Sequence, residues 1–148
     1  MLSDSDLVLI NAYTHSLFKS LPKEETREEL LRPFVQTITK EELPANWLVK
    51  SNGLLHRSRN EFERLKTKEK SLVYLQGMID QFRNQGIELQ TKLKYYFQLC
   101  FPLKMELHLE LGELYKSIGS FVSAFELLNE VELTEEAIKC LFMAGRQT

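Results

Sequence analysis

The sequence predicts an all-α chain of antiparallel helix pairs, and three observations carry that prediction. Apolar residues recur at intervals of three and four along most of the 148 residues. Nothing alternates with period two over the length of a strand. The stretch Leu111-Gly112-x-x-Tyr115, followed by Gly119-x-Phe121-x-x-Ala124, reads as helix, stop and returning helix. Gly112 is small enough to let the second helix approach, and Tyr115 fills the space beside that contact. Gly119 ends the first helix, because glycine enters the left-handed conformation without a steric cost. Ala124 is the small residue expected to face Gly112. The architecture expected is an α-α superhelix of about seven to eight helices.

Taken in order, Asp4 or Ser5 is expected to cap a first helix running to about Lys19, with Leu7, Ile10, Thr14 and Leu17 on one face. Pro22 ends it or opens the next. From Glu24, acidic residues precede Leu30 and Leu31, as suits a helix N-terminus. Pro33 predicts a kink or a break, with Phe34, Val35 and Ile38 continuing the same face beyond it. Pro44 is expected to open a third helix with Trp47, Leu48, Leu54, Leu55 and Phe62 on one stripe and His56, Arg57, Arg59 and Arg64 on the other. Thr67 is a candidate cap for a fourth, carried by Leu72, Leu75, Met78, Ile79 and Phe82.

A turn at Asn84–Gly86 leads to a fifth helix through Leu89, Leu93, Tyr96, Phe97 and Cys100, which must finish before Pro102. Pro102 suits the first turn of a sixth helix reaching Ile118. The seventh runs from Phe121 to about Glu130. An eighth starts at a capped Thr134 and ends at Gly145. Residues 1–148 are expected to form a single helical domain, with atypical hairpins over 1–101 and a repeat plus the start of the next over 102–148. The turn-like Ala144-Gly145-Arg146 suggests a piece of a longer protein.

Leu111–Ala124 resembles the spine of a tetratricopeptide (TPR) helix–turn–helix repeat, in which Leu111, Gly112, Tyr115, Gly119, Phe121 and Ala124 form the structural core. Two further segments resemble the tetratricopeptide repeat protein 27 family. One is Asn46-Trp47-Leu48-Val49-Lys50 followed by Gly53-Leu54-Leu55-His56-Arg57-Ser58-Arg59 and Glu61, similar to the family's Trp-x-x-x and then Ala-Leu-Leu-x-Arg-Ser-x-x-Glu. The other is Ala124–Leu133, then Ala137-Ile138-Lys139-Cys140 and Ala144-Gly145-Arg146. Leu75-Gln76 and Asp80-Gln81-Phe82 sit where the family has a comparable helix. The chain departs from the pattern at His108, where a repeat commonly has tryptophan, at Thr134 near a second tryptophan, and at Glu136 in place of a closing proline. The resemblance implies a non-enzymatic assembly factor linked to molecular chaperones and to building splicing ribonucleoproteins. It carries over no catalytic residues.

Composition fits a globular chain: 43% apolar and 27% charged residues, net charge −2. No whole-chain field recruits nucleic acid or an anionic membrane, and no apolar run approaches the roughly 20 residues of a membrane span. Cys100 and Cys140 are expected as buried, unpaired thiols of a reducing compartment, cytoplasm or nucleus. His15, His56 and His108 are expected far apart, so no metal site is predicted. Cys100 with His108 as nucleophile and base is set aside, because Phe97 and Phe101 should keep that thiol apolar and inert. With no phosphate loop, nucleophile elbow or kinase motif, no enzyme, cofactor or small-molecule substrate is expected.

Charge is unevenly placed. Lys50 to Lys70 holds seven basic and three acidic residues, while Lys104 to Glu136 holds two basic and eight acidic. Solvated helix faces account for both runs. The sharper expectation is that Arg57, Arg59, Arg64, Lys66, Lys68 and Lys70 contact an acidic protein segment. RNA is the alternative, though no aromatic residues interleave with those bases for stacking. In the repeat, the groove-lining positions are Glu106, Leu109, Glu113 and Lys116. Two glutamates and no asparagine argue against a clamp for a chaperone's C-terminal carboxylate and favour a basic or amphipathic partner helix.

Overall fold

The computed structural model describes residues 2–40, 46–62, 67–83, 90 and 93–145; among them the regular structure is helical and no strand occurs. Two compact units divide the chain, Met1–Phe101 and Pro102–Thr148.

In the first unit, Ser3 caps α1 (Asp4–Ser20) in place of Asp4 or Ser5. Its hydroxyl accepts the Asp6 N–H at 3.2 Å, and the Asp6 carboxylate accepts the Ser3 N–H at 2.8 Å. That backbone hydrogen bond, with help from the Ser3 hydroxyl, holds the Asp6 carboxyl below its ordinary range. Helix α2 (Glu25–Ile38) runs through Pro33, so the expected break does not occur. Pro33 and Glu29 are both exposed, and the carbonyl that Pro33 cannot engage stays within reach of water. Leu31, Val35 and Ile38 are buried, whereas Leu30 points outward.

Helix α3 (Trp47–Glu61) is capped by Asn46, whose side chain accepts the Leu48 N–H at 2.9 Å; Pro44 and Arg64 lie outside the described residues. Its sequence reads as an amphipathic surface helix, and the structure corrects that. Leu48, Val49, Ser51, Asn52, Gly53, Leu55, His56, Ser58 and Asn60 are all buried. The reason is its place: α1, α2, α4 (Lys68–Arg83) and α5 (Tyr96–Leu99) pack around it. Gly53 marks the closest approach, since a Cβ there would come 2.3 Å from Ile38 Cγ2 on α2.

On α4, Ser71, Leu75, Met78 and Ile79 are buried. Thr67 precedes it and donates its hydroxyl to the Glu61 carbonyl. Leu89 and the turn at 84–86 lie outside the described residues; of the expected fifth helix, residues 90 and 93 are helical, and in α5 only Leu99 is buried. Phe97 is 90% exposed, and Cys100, in the left-handed region at φ 49°, is exposed as well. The expectation of a buried, apolar-shielded Cys100 is therefore overturned: at the left-handed end of α5 it is exposed.

The second unit is α6 (Lys104–Ser117), α7 (Phe121–Glu130) and α8 (Thr134–Gly145), with α7 packed on both neighbours. Pro102 stands before α6, not in its first turn, and Leu103 is the cap residue. Both inter-helix turns close in the same way. After α6, Gly119 at φ 82° lets its own N–H reach the Lys116 carbonyl and the Ser120 N–H reach Tyr115. After α7, Glu132 takes the same left-handed place at φ 60°, with its N–H on the Asn129 carbonyl and the Leu133 N–H on Leu128.

Candidate interaction surface

The centre of the repeat is packed with apolar side chains. Leu111, Leu114, Ala124 and Leu128 are fully buried, and Phe121 nearly so. The nearest neighbours of Gly112 belong to Leu128, not to Ala124: a Cβ on Gly112 would sit 3.0 to 3.3 Å from three Leu128 carbons. Ala124 instead joins Leu128, Ala137 and Cys140 in one cluster, against which Tyr115, Phe125 and Leu133 pack. The small residue thus admits α8 as well as α6. Burial pushes the Cys140 thiol up, which keeps it protonated.

On the outward side of α6, Glu106, Leu109 and Glu113 are exposed, at spacings of three and four, beside exposed Met105. Lys116, at the next turn, is half-buried and pairs with Glu113 and, at 3.9 Å, with Glu136 of α8. Glu106 has a second task, because its carboxylate accepts the Leu103 N–H at 2.8 Å and caps the helix. His108 is 1% exposed; its Nδ1 lies 2.8 Å from the Lys104 carbonyl and its Nε2 3.7 Å from Glu130 of α7, which also faces Lys104. Lys139 sits between Glu135 and Glu136, whose hydrogen bonds hold its ammonium above the ordinary lysine range; Lys139 in turn holds Glu136 below the usual carboxylate range.

A surface that the sequence reasoning missed lies on α8. Ile138, Leu141, Phe142 and Gly145 line a shallow apolar depression of about 510 Å3, with Phe142 69% exposed. Its signal was present: Ala137 and Cys140 already supply the buried side, so Ile138, Leu141 and Phe142 are a second apolar stripe.

In the first unit, Arg57 and Arg59 are both half-exposed, and each has an internal engagement. Arg57 Nε is 3.1 Å from Glu61 and its guanidinium lies 5.0 Å from the Tyr74 ring centre. Arg59 acts electrostatically on His15 and His56. Lys66 lies outside the described residues, and Lys68 lies 5.6 Å from the Phe62 ring. Contrary to the expectation of dispersed histidines, the His15 and His56 rings are 5.7 Å apart. Helices α1 and α3 pack and bring them together. His56 is 2% exposed beside Asn52, whose amide also reaches Asn11 at 3.2 Å and the Leu99 carbonyl at 3.4 Å. Burial, with Arg59 and His15 adding to it, pushes the His56 imidazole down to about 3; burial also lowers His15, with Lys19 and Arg59. Among the described residues no group of three or more metal-ligating side chains assembles, and no helix is long and apolar enough to cross a membrane.

No family model matches the chain, and no solved structure does. It is similar to a tetratricopeptide repeat protein 27 homolog of Dictyostelium discoideum, 33% identical over 123 residues that cover 83% of this chain and 14% of the relative. A TPR repeat-containing protein of Schizosaccharomyces pombe is 24% identical, with 96% of this chain and 21% of the relative covered. A Saccharomyces cerevisiae protein named as essential for maintenance of the cell wall is 25% identical, with 97% and 17% covered. The chain therefore spans about a fifth or less of the length of the curated relatives it matches. With its paired helices and its repeat spine, the chain belongs, over the segment it spans, to the tetratricopeptide repeat protein 27-like family of helical-repeat proteins.

Proposed function

We propose that this chain is a protein-binding helical-repeat module, part of an assembly or co-chaperone factor acting on ribonucleoprotein or splicing complexes in the cytoplasm or nucleus. The observation that carries the reading is the outward side of α6, where exposed Met105 and Leu109 are flanked by exposed Glu106 and Glu113. An apolar strip edged by carboxylates suits a basic amphipathic helix laid along it, with apolar anchors inward and Lys or Arg on the rim. The relatives' repeat-protein names support a scaffold over an enzyme. In the same reading, residues 1–148 form one helical domain of a longer protein, and the α8 depression receives the helix of a following repeat.

Charge reversal tests the groove. Glu113→Lys together with Leu109→Asp should abolish capture of partners that wild-type chain retains in a pull-down from nuclear and cytoplasmic extract. Glu106 is left intact, because its reversal would also uncap α6. Unchanged capture, with a wild-type circular dichroism spectrum, would remove the groove from the proposal.

A further inference from the structure

Between α2, α3 and the residue preceding α4 lies a cavity of about 230 Å3 in which Glu28, Arg32, Val35, Arg57, Asn60 and Glu61 meet. Two cations and two anions line it, and buried Val35 gives it an apolar wall. Arg32 reaches Glu28 through one terminal nitrogen at 3.4 Å. Arg57 reaches Glu61 Oε1 through Nε, at 3.1 Å, so its two terminal nitrogens make no hydrogen bond to a described residue. Glu61 Oε2 is buried and has no hydrogen-bond partner among the described residues. A buried carboxylate oxygen without a donor is costly, and a ligand that supplies a donor from the cavity would remove that penalty. Asn60 fixes the rim by donating its amide to the Glu28 carbonyl at 3.3 Å.

We propose that this cavity binds the zwitterionic head of a free α-amino acid, its carboxylate on the terminal N–H groups of Arg57 and Arg32 and its ammonium on Glu61 Oε2. The charge balance selects this class. A phosphate or polyanion would meet Glu28 and Glu61, and a simple cation would meet the two arginines. A zwitterion satisfies both signs at once, and arginine's fork suits a carboxylate. Size agrees: the volume is that of about eight water molecules and falls below the roughly 300 Å3 at which drug-sized pockets begin. Val35 is placed to contact the ligand's side chain.

Isothermal titration of the full chain against a panel of free amino acids tests this, with N-acetylated, methyl-esterified and doubly blocked dipeptide forms alongside. At least one free amino acid should bind saturably with a Kd of about 1 mM or tighter. Blocking either charged end should abolish that binding. Arg57→Gln and Glu61→Gln, checked for a wild-type melting curve, should each weaken it about tenfold or more. If a variant fails to fold, the blocked ligands on wild-type chain decide alone. No saturable binding by any free amino acid below about 10 mM would overturn the proposal. So would equal binding of the blocked dipeptide, which would give the cavity to a partner's peptide segment, or full affinity in both glutamine variants.

Discussion

The two units of this chain both bury helix on helix, but the first adds a set of buried polar side chains to its apolar core. In Pro102–Thr148 the shared core is apolar and size-matched: Leu128 lies over Gly112, and Ala124, Ala137 and Cys140 close around it. In Met1–Phe101 the central helix α3 carries Asn52, His56, Ser58 and Asn60 into the interior, each with hydrogen-bonded partners on other elements or on its own turn. Apolar packing is indifferent to direction, so a repeat built that way can stack again. A core of directional polar bonds accepts one arrangement only, because each unmade bond leaves a desolvated group behind.

Perturbations should separate the two kinds of core. The largest effect belongs to the apolar unit: Leu128→Ala should destabilise it by about 3 to 5 kcal/mol, read by urea unfolding, because the cavity cannot refill beside a glycine. Asn52→Ala should lower the stability of the other unit by about 2 to 3 kcal/mol, since Asn11, His56 and the Leu99 carbonyl all lose a partner. A wild-type value there would mean that the polar cluster is passive.

Acid should act through His56. The unfolded chain takes up its proton near the ordinary 6.5, but the folded chain only near 3. Stability is therefore undiminished above that upper value and drains as pH falls between the two, by about 2 kcal/mol from pH 7 to pH 5. His56→Gln should flatten most of that slope in melts recorded across the range. Gly53→Ala should cost about 1 to 2 kcal/mol, because buried, β-branched Ile38 must yield. The smallest change is a gain: Glu132→Gly, at φ 60°, should stabilise the α7–α8 turn by about 0.5 to 1 kcal/mol in the same assay.

The repeat was the legible part of the sequence, for a physical reason. Its glycine stop at Gly119, its Phe121 start and its buried Leu111 and Leu114 all express local periodicity and capping, which neighbouring residues determine. Helix α3 was misread because its polar residues look like a solvent face, and only four surrounding elements make them interior. The meeting of His15 with His56 depends on the packing of α1 against α3, which spacing along the chain does not express. Size alone matches Ala124 to Gly112, whereas the nearest neighbours of Gly112 belong to Leu128, two turns from the helix start. The cavity at Arg57 and Glu61 also escaped, since Glu28 and Arg32 come from a different helix.

A double-mutant cycle on Gly112→Ala and Leu128→Ala reads the stacking contact most directly. If Leu128 sits over Gly112, the added methyl should be harmful in wild-type chain and nearly harmless once Leu128 is shortened, with a coupling of about 1 kcal/mol or more in urea unfolding. Strictly additive losses would mean that the two residues do not touch, and that the repeat is held together elsewhere.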